Sequence, residues 1–209
     1  WEGLEAWGKE KKLTAKKDFT YIETNNPEDN STNIDQAIRN GFTTIISLSY
    51  LQAEELENAA KDNPKLKFAL VDGEITGKKN ISSATFKDQE SAYLAGLAAA
   101  YTTKSDQVGF IGGMEGPVIQ RFQSGFEAGV KAGATALNKE ITVNVQYAAS
   151  YDSLDKGKAI AASMYKEGVD ILYQAAGSTG AGVFQEAKAR NENDYSRKVW
   201  VIGVDCDQA

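Results

Sequence analysis

Asp72, Gly177 and Asp205 share one kind of place in the sequence, at or just past the end of a short apolar run. Asp72 ends Phe68-Ala69-Leu70-Val71, Gly177 follows Tyr173-Gln174-Ala175-Ala176, and Asp205 ends Val201-Ile202-Gly203-Val204. Runs of this length and composition read as strands. In open parallel sheets ligands sit beyond the carboxyl ends of the strands, so these are positions from which a residue reaches a ligand. A carboxylate there accepts hydrogen bonds from vicinal hydroxyls or from ring N–H groups. A glycine there lets the backbone come close. Tyr151 adds a flat ring just past the expected strand 142–147, and stacking of a base on such a ring is worth about 1–3 kcal/mol. Each of the four also has a plain structural reading: a strand-end Asp caps helices, a Gly makes turns, a Tyr packs over its own loop. Together they offer the chemistry of gripping a small polar molecule.

Other chemistries are poorly served. The chain of 209 residues has no histidine, which removes the commonest general base, the usual Ser-His triads and most zinc sites. No G-x-S-x-G elbow occurs. Gly73-Glu74-Ile75-Thr76-Gly77-Lys78-Lys79 has the wrong glycine spacing for a phosphate loop, and Val108 to Gly116 is not a G-x-G-x-x-G. The single cysteine, Cys206, lies between Asp205 and Asp207, whose charges disfavour a reactive thiolate. Those two aspartates lack a third acidic neighbour, so no metal is expected. We expect no catalytic residues, no metal and no cofactor. A net charge of -6 and the absence of a basic stripe argue against a nucleic-acid partner. No apolar run approaches the roughly 20 residues that span a bilayer.

The elements that must hold these residues alternate between strand-length apolar clusters and amphipathic helix-length stretches, the pattern of parallel α/β sheets. Expected helices cover residues 1–12, 89–103, 119–137, 155–167 and 179–190, with others after Asn30 and after Ser49. Expected strands cover residues 19–23, 44–48, 68–72, 81–86, 108–113, 142–147, 170–174 and 199–205. Ser49 and Gln52 have capping-box spacing, and Pro64 stops the helix that they open. The polar stretch Thr102-Thr103-Lys104-Ser105-Asp106-Gln107 reads as a boundary and hinge. It gives two Rossmann-like lobes, residues 1–103 and 104–209.

Several strings resemble one family. Phe86-Lys87-Asp88-Gln89-Glu90-Ser91-Ala92-Tyr93-Leu94-Ala95-Gly96, Val108-Gly109-Phe110-Ile111-Gly112-Gly113-Met114 with Pro117-Val118-Ile119, Gly125-Phe126-Glu127-Ala128-Gly129, Ala175-Ala176-Gly177-Ser178-Thr179-Gly180 and Val201-Ile202-Gly203-Val204-Asp205-Cys206-Asp207-Gln208 resemble motifs of the basic membrane protein family of lipoproteins. They follow the family's order over nearly the whole chain. The resemblance implies a type I periplasmic-binding-protein fold and an extracytoplasmic, lipid-anchored receptor that delivers purine nucleosides to an ABC transporter permease. It puts Asp72, Gly177 and Asp205 on ligand-binding positions and Tyr151 where the second lobe's stacking aromatic stands. It further implies a first strand and a Ser-Phe-Asn-Gln segment before Trp1, a C-terminal return to the first lobe, and an N-terminal lipid anchor outside this sequence. Both ends are therefore expected to be truncated. Two readings stand beside this one: a receptor for a sugar or another small polar ligand, and the sensor core of a transcriptional regulator.

Overall fold

The computed structural model describes residues 1–24, 26–193, 197–205 and 208. Its elements run α1 (Glu2–Lys11), α2 (Asn30–Arg39), β1 (Thr44–Ser47), α3 (Ala53–Asp62), β2 (Lys67–Val71), β3 (Ile81–Ala84), α4 (Asp88–Thr102), β4 (Gln107–Gly112), α5 (Pro117–Leu137), β5 (Thr142–Tyr147), α6 (Leu154–Glu167), β6 (Ile171–Ala175), α7 (Thr179–Asn193) and β7 (Trp200–Ile202). They form two compact units, residues 1–86 and 87–209. All strand pairs are parallel, as the alternation of apolar runs and helices requires.

The first unit holds a three-stranded sheet in the order β1-β2-β3. One face is closed by α2 and α3, with Ile34, Leu56 and Ala60 packed on Ile45, Phe68, Leu70 and Ile81. Ser49 caps a single turn of 3-10 helix at Tyr50–Gln52, its hydroxyl accepting the Leu51 N–H at 3.2 Å, and α3 follows. The expected capping box is thus a shorter device: the Gln52 amide turns away to donate to Asn30 Oδ1 at 3.1 Å. Residues 19–23, expected as a strand, pair with no other strand among the described residues. They keep only an isolated bridge between Ala15 and Phe19. Ladder hydrogen bonds need a neighbour, and apolar composition alone does not supply one.

The second unit holds a four-stranded sheet in the order β5-β4-β6-β7. On one face Phe110 meets Phe126 and Tyr173 with centroid separations of 6.3 and 5.8 Å. On the other, Ile111 and Leu172 pack on Ala161 and Met164 of α6 and Val183 and Ala187 of α7. Helix α4 belongs to this unit, whereas the sequence reading assigned residues 88–103 to the first lobe. The reason lies in small residues. A Cβ at Gly129 would strike the Tyr93 carbonyl, and one at Gly96 would strike the Phe126 carbonyl, so α4 and α5 approach backbone to backbone.

The expected hinge at 103–107 therefore lies inside one unit, and it is pinned. The buried Asp170 carboxylate accepts the Thr103 hydroxyl at 2.6 Å and the Lys104 and Ser105 N–H groups at 2.7 and 3.0 Å. Among the described residues no helix is long and apolar enough to cross a membrane.

Candidate functional site

In the second sheet the chain passes from β4 outward to β5, then returns to the other side of β4 to lay down β6 and β7. The strand order thus reverses between β4 and β6. Such a switch point leaves a crevice at the carboxyl edge, because the connections on either side lead away from each other. Gly113 follows β4 at this edge and donates its N–H to the Ala175 carbonyl of β6 at 3.0 Å.

Tyr151 and Gly177 meet at this point. Tyr151 is half-buried, with Gly113 directly against its ring; a Cβ there would overlap Cδ1 and Cε1. Gly177 has φ +56, and a Cβ on it would stand 3.2 Å from the Tyr151 carbonyl oxygen. It is glycine for conformation and for space together.

The Tyr151 loop is held by the first residue of α7. The Thr179 N–H donates to the Tyr151 carbonyl at 3.0 Å. The Thr179 hydroxyl accepts the Ser153 N–H at 2.9 Å and donates to the Ser150 carbonyl at 3.2 Å. Ser150 in turn donates its hydroxyl to Asp152 Oδ1 at 2.6 Å. Helix α6 then starts on Ser153, whose Oγ accepts the Lys156 N–H.

Asp205 follows β7 with φ 68 and is exposed. Its approach is organised by Gln174, a fully buried amide within β6. Gln174 Oε1 accepts the Ala176 N–H at 3.1 Å, and its Nε2 donates to Gln208 Oε1 at 2.8 Å. The same Gln208 oxygen accepts the Val204 N–H at 3.0 Å. One buried side chain thus ties the turn before Gly177 to the loop that carries Asp205. Beneath them the Tyr173 hydroxyl is pushed above the usual phenol range by burial, and secondarily by the carboxylates of Asp205 and Asp88. Asp88 opens α4 and pairs with Arg121 of α5, Nε to Oδ2 at 2.8 Å.

In the first unit Asp72 follows β2 with φ 60, and its N–H donates to the Ala84 carbonyl at 2.8 Å. Asp72, Gly177 and Asp205 therefore all leave their strands in left-handed backbone, a conformation costly for non-glycine residues and concentrated at functional sites. Sequence reasoning located these three by strand ends and missed the supports Gly113, Thr179 and Gln174. Gly113 stood in plain view in a glycine-rich strand end. Thr179 and Gln174 act through loops far away in sequence, and only the polar residue inside the apolar run Ile171–Ala175 hinted at the second. Cys206 and Asp207, weighed above as thiol and metal ligand, lie outside the described residues.

What the second unit offers is a flat aromatic surface on a glycine-floored edge, with an exposed carboxylate on the next strand but one. It suits a ligand with a planar part and hydrogen-bond donors. A family model described as "ABC transporter substrate-binding protein PnrA-like" matches residues 1–209. The chain is 47% identical over 209 residues to the "ABC transporter nucleoside-binding protein BmpA" of Lactococcus lactis subsp. cremoris, covering all of this chain and 58% of that protein. It is 44% identical over 209 residues to the "CD4+ T-cell-stimulating antigen" of Listeria monocytogenes, covering 57% of it. Among solved structures, an ABC transporter solute-binding protein from Aeropyrum pernix superposes with a TM-score of 0.85 at 26% identity, over 99% of this chain and 57% of that one. The fold is that of the type I periplasmic binding proteins, and the chain spans rather more than half the length of the relatives it matches. By a match that runs from its first residue to its last, the chain belongs to the Bmp family.

Proposed function

We propose that this chain is the ligand-gripping part of an extracytoplasmic substrate-binding protein that captures purine nucleosides for an ABC importer. The observation that carries the reading is the Tyr151 ring, seated on Gly113 beside Gly177 at the point where the strand order reverses. A purine stacks on that ring. The Gly177 backbone admits the ligand closely, and Asp205 accepts hydrogen bonds from ribose hydroxyls or base N–H groups. Asp72, at a strand end of the first unit, is proposed as a ligand-binding carboxylate in its own right. The name of the Lactococcus relative, a nucleoside-binding protein, supports a nucleoside as cargo, and the family's description supports a permease as partner. An N-terminal lipid anchor in the full-length protein completes the proposal. No step of it requires catalysis.

Calorimetry on the full-length protein tests it. Inosine, guanosine or adenosine should bind with measurable heat, and Asp205→Ala should weaken the binding severely. Heat from ribose or another sugar, with none from any of the three nucleosides, would make the protein a sugar receptor and end the nucleoside reading.

A further inference from the structure

Tyr151 is useful as a stacking surface only if its ring stays put. Ala149 is in left-handed backbone at φ 48, and Ser150 and Asp152 bond to each other rather than to the sheet. A residue distant in sequence restrains the Tyr151 backbone. Thr179 has no exposed surface, and its polar groups reach both sides of Tyr151: the N–H to Tyr151 itself, the hydroxyl to Ser153 on one side and Ser150 on the other. A hydroxyl is one donor and an acceptor, so a single Oγ can close both bonds.

The backbone around Thr179 leaves it no freedom. A Cβ at Gly157 would strike the Thr179 carbonyl, and one at Gly182 would strike the Leu154 carbonyl. Helices α6 and α7 are therefore in backbone contact at the threonine and again one turn beyond it, which restrains its hydroxyl relative to the loop that enters α6.

We infer that Thr179 is the positioning residue for the Tyr151 ring, and that its hydroxyl, rather than its bulk, sets how tightly a planar ligand is held. The assignment rests on the reading of Tyr151 as the stacking surface. Thr179→Val keeps the branched shape and leaves the Ser153 N–H and the Ser150 carbonyl without their partner. The loop then relaxes and the ring leaves its place. Thr179→Ser retains the hydroxyl.

The test is inosine titration of the full-length protein by calorimetry, with thermal unfolding of each variant measured in parallel. T179V should weaken inosine about tenfold, and T179S no more than about threefold, as expected for loss of hydrogen bonds against loss of a methyl group. The deciding arm is a double-mutant cycle. In a Tyr151→Ala background T179V should change the affinity by less than about twofold, because a residue that acts through Tyr151 has nothing left to position. A full tenfold loss in that background would overturn the assignment, as would T179S falling as far as T179V. If T179V does not fold, Thr179→Ala takes its place, and failure of both to fold would make Thr179 a folding residue and overturn the assignment too. Wild-type protein that ignores inosine would sink the functional reading together with this one. Wild-type binding with an unchanged T179V would sink only this one.

Discussion

The two sheets are built from the same kind of unit and are dressed differently. In the second, β4 and β6 are buried along nearly their whole length, so adjacent residues such as Phe110 and Ile111 both sit in core although they point to opposite faces. In the first, β1 alternates between buried and exposed, with Ile45 inside and Ile46 54% exposed, and Leu48 beyond it 72% exposed. A parallel strand covered on both faces reads as adjacent apolar residues, and so do Ile45 and Ile46 of β1, of which only Ile45 is buried. The same sequence pattern thus accompanies two different degrees of cover, and only packing tells them apart.

The sharpest way to break this comparison is truncation at neighbouring positions. Phe110→Ala should cost about 3–5 kcal/mol and Ile111→Ala about 2–5, because each empties a filled core on its own side of the sheet. In the first sheet the paired substitutions should split. Ile45→Ala should cost at least about 2 kcal/mol, and Ile46→Ala no more than about 0.5, as for other surface changes. Urea unfolding of this chain, followed by circular dichroism, measures all four. Equal costs at Ile45 and Ile46 would remove the distinction between the two sheets.

A smaller effect concerns the segment that leads into β4. Residues 103–105 are tied to Asp170 by three charge-assisted bonds, so Asp170→Ala should destabilise the second unit by about 3 kcal/mol. Amide hydrogen exchange should rise at Lys104 and Ser105, the two residues whose N–H groups lose their acceptor. Unchanged protection there would show that the carboxylate does not hold the segment.

How far the sequence could be read follows the same division. Strand ends announce themselves by a break in apolar character, so the places of Asp72, Gly177 and Asp205 just past β2, β6 and β7 were legible, and so was the parallel α/β architecture. The assignment of α4 was not visible. Its place depends on Gly96, Gly125 and Gly129 letting two backbones meet, and a glycine's sequence neighbours do not say which helix it will admit. Nor was the anchoring of residues 103–107, since a polar stretch reads as a linker until its distant acceptor is known. The supports of the site escaped for this reason as well: Thr179 is bonded to residues 26 and 29 positions away. Spacing rules address local partners, and these partners are brought together only by the α6–α7 packing.

At the site itself the comparison becomes one between a ring and a carboxylate. On the proposed reading Asp205→Ala removes an acceptor from donors that the ligand must then leave unpaired, and nucleoside affinity in the full-length protein should fall by about 2–3 kcal/mol. Tyr151→Ala should cost about 1–3 kcal/mol, and Tyr151→Phe much less, since the ring face stays. Titration calorimetry orders the three. Equal losses for Tyr151→Phe and Tyr151→Ala would mean that the hydroxyl, not the ring, makes the contact.

The smallest expected effect is a pH dependence confined to the second unit's core. Tyr173 and Tyr165 both have hydroxyls raised above the usual phenol value of 10.0, chiefly by burial. At Tyr165 the Arg190 guanidinium, 5.5 Å from the ring centroid, opposes the shift in part. A raised native value means that the folded chain keeps its phenol protons at a pH where the unfolded chain has begun to lose them. The stabilisation from these groups is therefore fully present below about pH 10 and declines as pH rises beyond it, through the native values. Tyr173→Phe removes one such proton without removing the ring that packs on Phe126 and Phe110 at 5.1 and 5.8 Å. At pH 7 it should change stability by less than about 1 kcal/mol, and between pH 10 and 11 it should flatten the alkaline decline measured by urea unfolding. A decline as steep as that of the wild type would place the titrating group elsewhere, with Tyr165→Phe as the next substitution to make.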